Sequence, residues 1–476
     1  MEDAGRREEF ALSDRSSDGE TKPVPNEESP LINDGGKEIS YRIYEKGGFF
    51  ESIRRIRSAT ATISLIEKPS FDRRASAFLA GWNVSNLIQG TGILGVPYGV
   101  LMGGWVGVVM IVVIAWMCCF TGKILIECLY ERSKRTGQRK RVRTNYPEIG
   151  EAVWPGWGNN ILSVIQVCEM FGGTIMYIVL LATIFTEMFK NTTSLTILHW
   201  AVICTYVALP LAFVRRVSII AWVSMASVFS LMCGILTIII FCVTQYDLMS
   251  IKNIPPFNFE AFPVGFGIIV FSYTAHAVFP GVESSMKEPR KYPMMMNSSF
   301  AFAAVVKLLL GLLAVLVFGN TTDQVITVNM RSSQVFNIIA NVFIISNVFL
   351  AFPINLYVIL ETVDHKFLPH FPHLTQDSQY HWLWLLMSRT FILTFALFLV
   401  LMVPHFALVM GFIGSFTGTC LCFILPCYFH IKLKWNELHW YDIALRWFVI
   451  VFGCICGGLG VFFSGKRLVE ASSPAS

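Results

Sequence analysis

Gln89-Gly90-Thr91-Gly92-Ile93-Leu94-Gly95-Val96-Pro97 interrupts an apolar run that extends over 78–102. Glycine and proline lower helix propensity steeply, yet here they cluster inside a stretch long enough to cross a bilayer, which takes ~20 residues as a helix. In lipid the backbone must satisfy its own hydrogen bonds. Such a break is therefore tolerated only where the freed amides and carbonyls line a cavity or are buried in protein. Just upstream, Asn83, Asn86 and Gln89-Gly90 recur about one turn apart and form a polar stripe. Two readings follow: a broken helix lining a site, or a glycine-rich face for close helix packing.

A second break matches the first. Pro263-Val264-Gly265-Phe266-Gly267 opens a later apolar run. Ser272-Tyr273-Thr274-Ala275-His276 puts polar groups near its middle, and Pro280-Gly281 follows. Five complete runs precede it. Interrupted helices at corresponding positions of two five-helix halves point to an inverted-repeat transporter with a mid-membrane site. Half-helix amides can hold a substrate carboxylate, because they present unpaired N–H groups and the positive end of a dipole. A substrate amine needs carbonyls or a carboxylate.

The rest of the chain supports a polytopic α-helical membrane protein. Of 476 residues, 54% are hydrophobic and 14% charged, and the mean hydropathy is +0.57. A soluble domain of this length carries more charge. About 11 spans are expected, near 78–102, 104–128, 159–188, 197–214, 217–243, 262–286, 298–319, 334–362, 381–403, 405–430 and 442–463. Basic residues gather in alternate connections: Arg54, Arg55, Arg57, Arg73 and Arg74; Arg132 to Arg143; Arg215 and Arg216; Lys287, Arg290 and Lys291; Lys432 and Lys434. The positive-inside rule then puts the N-terminus in the cytosol and the C-terminus in a lumen or outside. The sequons at Asn191 and Asn320 fall in the opposite, non-cytosolic loops.

The expected domains are a cytosolic tail over 1–75, a transporter domain over 76–464 and a short luminal tail over 465–476. The first tail is acidic, serine-rich and proline-containing, which reads as disordered; no signal peptide is apparent. Within it Glu27-Glu28-Ser29-Pro30-Leu31-Ile32 fits an acidic dileucine sorting signal, with Glu27, Leu31 and Ile32 as the residues a clathrin adaptor reads. Phe49, Phe50, Ile53 and Ile56 share a helical face, suited to an interfacial helix or an ordinary linker. The 12 cysteines lie almost entirely in apolar runs without CxxC spacing and read as core residues, not metal ligands.

Ionisable groups within spans are costly and mark function. Glu169 lies in span 3 on a face with Gly172, Gly173 and Tyr177, placed for a proton or substrate pathway or for a structural hydrogen bond. His276 could titrate with an acidic lumen or be a satisfied polar residue. Glu283 suits a gate or proton carrier, or reaches the cytosolic interface. Lys307, inside span 7, needs a carboxylate or carbonyls. Asn337, Asn341, Ser346 and Asn347 of span 8 could face the site. Gly411, Gly414, Ser415 and Gly418 of span 10 suit packing or a hinge. Lys123, Glu127 and Arg389 are expected to snorkel.

These motifs resemble the amino acid/auxin permease family. Gly81 to Gly90 and Gly92 to Tyr98 look like its first helix. Cys118-Cys119-Phe120-Thr121-Gly122-Lys123-Ile124-Leu125, Ile268 to Thr274 and Val403 to Gly411 are similar to its vesicular inhibitory amino acid (GABA and glycine) branch. The resemblance covers nearly the whole chain after the tail. It implies a LeuT-like 5+5 fold with broken helices 1 and 6, and proton-driven exchange loading GABA or glycine into acidic synaptic vesicles. Glu169 and Glu283 match acidic residues of the family, whereas His276 stands where vertebrate members carry glutamine.

The expected function is thus an amino acid/proton antiporter of vesicle membranes, with GABA, glycine or β-alanine as substrate. The proton gradient is its energy source, with chloride involvement open and no other cofactor. The expected substrate residues are Asn86, Gly90, Thr91, Gly92, Ile93, Phe271, Ser272, Tyr273 and Thr274. Glu169, His276 and Glu283 are expected to couple protons. The rival readings are a lysosomal or plasma-membrane symporter and a non-transporting receptor. No carbonyl-filter motif supports a channel, and no HExxH or nucleophile motif supports an enzyme.

Overall fold

The computed structural model describes residues 76–132, 138–213, 217–374 and 378–472. The sorting residues Glu27, Leu31 and Ile32 and the face at Phe49–Ile56 lie outside these.

Ser76 accepts the amide of Leu79 (3.2 Å) and starts helix α1, Ala77–Gln89. The helix ends at Gly90, whose φ of 34° only glycine adopts without strain. A 3₁₀ segment, Thr91–Gly95, leads into α2, Val96–Glu127, where Pro97 occupies the first turn and needs no amide partner. Helix α2 is two arms. At Gly104 (φ 57°, ψ −146°) the chain turns back, and a Cβ on Gly107 would lie 3.4 Å from the Gly99 carbonyl and Val100 Cα. Residues eight apart in a straight helix sit about 12 Å apart.

A hairpin follows that the sequence did not announce: β1, Tyr130–Arg132, antiparallel to β2, Arg139–Arg141, with Tyr130 opposite Arg141. Strands of three residues carry no alternation to read. Helix α3 (Tyr146–Val153) is capped by Asn145, which accepts the Glu148 amide at 2.9 Å. Then come α4 (Gly158–Met188), α5 (Ile197–Ala208) and α6 (Val217–Thr244). Helices α7 (Phe262–Tyr273) and α8 (Phe279–Ser285) each carry a proline in their first turn. The chain continues through α9 (Tyr292–Phe318), α10 (Gln334–Phe367), α11 (His381–Met402) and α12 (Phe406–Ile413). From α12 it passes through the π-helical turns Gly414–Gly418 and Cys420–Ile424 into α13 (Leu425–Lys434) and ends in α14 (Trp440–Ser472).

Among the described residues eight helices are long and apolar enough to cross a membrane, against eleven spans expected. Three places account for the difference. The expected first and second spans are run together across Gly104. The fourth and sixth appear as shorter apolar helices, Ile197–Phe213 and Phe262–Tyr273. Helix α14 also continues to Ser472, past the expected boundary at 464. Large side chains such as Trp105, Val109, Trp116, Phe229, Leu236 and Phe391 are exposed, as expected of a surface that lipid covers.

Helix α7 packs against both α2 and α12, and glycines set the separations. A Cβ on Gly267 would overlap the Gly411 carbonyl and Ser415 Oγ; one on Gly414 would overlap the Gly267 carbonyl and sit 2.7 Å from Phe271 Cβ. The small residues of span 10 are therefore packing residues. Two expectations need correction. Asn347 does not face the breaks: its Nδ2 donates to Ser227 O (2.9 Å) and Oγ (2.8 Å) on α6, while Asn341 donates to Asn337 (2.7 Å). Arg389 does not snorkel either. It is buried and donates to both carboxylate oxygens of Asp364 at 2.9 and 2.8 Å, because α10 brings an acid to its level.

Candidate functional site

The two interruptions meet. A Cβ on Gly92 would lie 3.3 Å from Ser272 Cα and 3.4 Å from the Phe271 ring, with the Met410 methyl at 3.5 Å. The 3₁₀ segment that opens with Thr91, Gly92 and Ile93, just after Gly90, thus packs on α7, which ends with Phe271, Ser272 and Tyr273; Thr274 leaves the helix with ψ 114°. Asn86 is buried one turn before the break, and its carbonyl accepts the Gly90 amide at 2.8 Å. All nine expected substrate residues sit on these two segments.

The breaks expose two kinds of backbone group. The 3₁₀ segment begins at Thr91, so the amides of Thr91 and Gly92 precede its first internal bond. Helices α1 and α7 end there instead with carbonyls. Lys307 of α9, fully buried, answers these: its ammonium donates to Ile88 O (2.7 Å), to Ser272 O and to Ser272 Oγ (3.1 Å), and lies 3.5 Å from the centre of the Tyr273 ring. Tyr177 of α4 interacts with the Thr91 side chain.

The three expected proton-coupling residues are not gathered in one relay. Glu169 is buried on α4 beside the π-helical turn, in contact with the Thr417 hydroxyl. That hydroxyl has one proton and a second acceptor, Ile413 O at 3.0 Å. The single hydroxyl proton is shared between the two acceptors, or Glu169 is itself protonated and donates to Thr417. A neutral carboxyl also avoids the cost of a charge buried without a counter-ion.

His276, in the gap between α7 and α8, lies with Nε2 2.9 Å from Thr121 Oγ1. Thr121 bonds back to Met117 O at 2.9 Å, as helical threonines do. The arrangement that satisfies both has His276 donating through Nε2, which leaves Nδ1 as a buried acceptor that no oxygen or nitrogen donor meets among the described residues; the Cys422 thiol lies beside the ring.

Glu283 is fastened to the hairpin. Its carboxylate accepts Arg141 at 2.5 Å and the Tyr130 hydroxyl, and is 2% exposed. Arg141 also donates to Pro280 O (3.1 Å), Thr144 O (2.9 Å) and Arg143 O (3.0 Å). Burial, with the Glu283 bond adding to it, pushes the Tyr130 phenol up to about 12, so the phenol stays a donor. The basic loop thus closes over α8. Sequence reading used Arg141 only to orient the chain, and Tyr130 and Thr417 carried no signal there. Lys307 was visible as a mid-span cation whose partners only the fold supplies.

At the opposite end, Asn191 and Asn320 are exposed in the turns after α4 and α9. A cavity of about 230 Å³ is lined by Thr183, Glu187, Asp323, Gln324, Arg331 and Phe406 among others. Arg331 pairs there with Glu187 at 2.9 Å.

A helical membrane protein whose two interrupted helices meet mid-bundle, one offering amides and both offering carbonyls, is built as a transporter of small zwitterions. The chain belongs to the transmembrane amino acid transporter protein family, whose model matches residues 73–465. It is 34% identical over 425 residues to the vesicular inhibitory amino acid transporter of Xenopus laevis, covering 86% of this chain and 79% of that protein. To the human protein of the same name it is 33% identical (84% and 77% covered), and to the Caenorhabditis elegans vesicular GABA transporter 32% (84% and 81%). In fold it is similar to MhsT in complex with L-phenylalanine (TM-score 0.51, 11% identity, 82% and 97% covered). It is similar also to the inward-facing conformation of Mhp1 (TM-score 0.50, 15% identity, 84% and 91% covered). These likenesses agree with the expected LeuT-like fold.

Proposed function

We propose that this chain is a proton/amino acid antiporter that loads GABA, glycine or a similar small amino acid from the cytosol into acidic vesicles. The observation that carries the reading is the meeting of the two breaks, Gly92 against Ser272 and Phe271. The substrate carboxylate binds the amides of Thr91 and Gly92, and its amine turns to the carbonyls of the unwound stretch that begins at Thr274. The names of the relatives support the vesicle and the substrate class.

Glu169 is the proton carrier. A luminal proton neutralises it beside the Thr417 hydroxyl and is released when the site turns to the cytosol. His276 accepts a second proton at Nδ1. Glu283 is the cytosolic gate, held shut by Arg141 and Tyr130. In this orientation the hairpin faces the cytosol and the sequons at Asn191 and Asn320 face the lumen. Glu27, Leu31 and Ile32 serve as the adaptor signal.

The test is uptake into proteoliposomes with an imposed inside-acid gradient, using labelled GABA, glycine and other amino acids. Uptake of GABA or glycine that a protonophore abolishes is expected. Uptake only without a gradient, or only of other amino acids, overturns the antiport or the substrate respectively. Binding without flux would favour a receptor.

A further inference from the structure

Lys307 stands in an unusual place for a buried cation. Among the described residues no carboxylate pairs with it; its partners are two carbonyls, one hydroxyl and one aromatic face, all neutral. Ile88 and Ser272 are each the penultimate residue of their helix, α1 and α7. Two helix C-termini therefore converge on one point. Each carries unpaired carbonyls and the equivalent of roughly half a negative charge. Together they balance about one positive charge, and hard oxygen donors of this kind suit a small cation.

We propose that the C-termini of α1 and α7 form a monovalent-cation site that this protein fills with its own Lys307 ammonium, and that removing the ammonium opens the site to a soluble monovalent cation. The tethered charge has a mechanistic consequence. A free ion bound between the two breaks could cross with the substrate and be coupled to it, whereas the lysine stays on α9 and carries no net charge across. The chain thus needs no alkali cation, and its coupling ion is handled elsewhere. The substrate-side consequence rests on the transport reading above; the site itself does not.

The experiment compares the full-length wild type with Lys307→Ala, the variant being expressed and purified with methylammonium present. Thermal unfolding is measured in choline, lithium, sodium, potassium and methylammonium chlorides at equal ionic strength. The wild type is expected to melt at one temperature in all five. Lys307→Ala should melt several degrees lower in choline and recover, saturably, in methylammonium or one alkali cation. Uptake by the variant should need the same cation. A wild type stabilised selectively by one alkali cation overturns the proposal, since the site is then not filled. So does a Lys307→Ala protein that melts like wild type in choline, or one that no cation rescues. Because melting needs no substrate, a failed cation site and a failed transport assignment give separate results.

Discussion

Arg141→Gln tests the closure at the basic end. The substitution leaves Glu283, 2% exposed, with Tyr130 as its remaining side-chain partner, and strips donors from Pro280 O and Thr144 O. Removing one member of a buried ion pair costs about 3–5 kcal/mol, because the other charge stays buried. Arg141 itself is only 9% exposed, so solvent screening takes little from that figure. At about 1.4 kcal/mol per tenfold, the hairpin should open roughly a hundred to a few thousand times more often. Amide hydrogen exchange reads this directly: Val142 N and Arg143 N, both bonded to Leu129 O at 2.9 and 3.2 Å, and the β1–β2 ladder should lose protection by that factor. The paired change Arg141→Gln with Glu283→Gln leaves no uncompensated charge. It should cost less than the two singles summed, by about 0.5–3 kcal/mol. Protection in Arg141→Gln within about threefold of wild type, a difference of ~0.6 kcal/mol, would show that the pair does not hold the hairpin, and the gate assignment would fall with it.

Gly414→Ala would drive a methyl into Gly267 O and Phe271 and should cost about 1–3 kcal/mol of stability; Gly458→Ala, with nothing within 4 Å, should melt within about 0.5 kcal/mol of wild type. Glu169→Gln mimics the protonated carboxyl, so it should keep equilibrium binding of substrate but lose proton-driven uptake; gradient-driven uptake at the wild-type rate would remove Glu169 from the pathway. Burial, opposed by Arg331, raises the Asp323 carboxyl above its ordinary value. A raised carboxyl stabilises the fold below its unfolded value of about 3.9 and loses that contribution as pH climbs through the folded value. Wild type should therefore gain stability on acidification relative to Asp323→Asn, measured as melting temperature against pH; parallel curves would refute this.

The sequence by itself determined the membrane class, the two breaks and the residues that flank them. Glycine and proline inside a bilayer-length apolar run admit few other uses, and that constraint is local. It also marked Glu169, His276, Glu283 and Lys307, since a charge or titratable group in lipid is conspicuous in composition alone. It could not assign their partners. Lys307 meets Ile88 and Ser272 across 219 and 35 residues, Glu283 meets Arg141 across 142, and Glu169 meets Thr417 across 248. Such pairings depend on which helix faces lie together. In α7, where nearly every residue is buried and apolar, no amphipathic stripe records that choice. Tertiary structure likewise decided that Arg389 and Asn347 are packing residues and that a basic loop is a hairpin seated on Glu283. Charge and polarity say that a group needs a partner; only the approach of two helices, set here by glycines such as Gly267 and Gly414, says which.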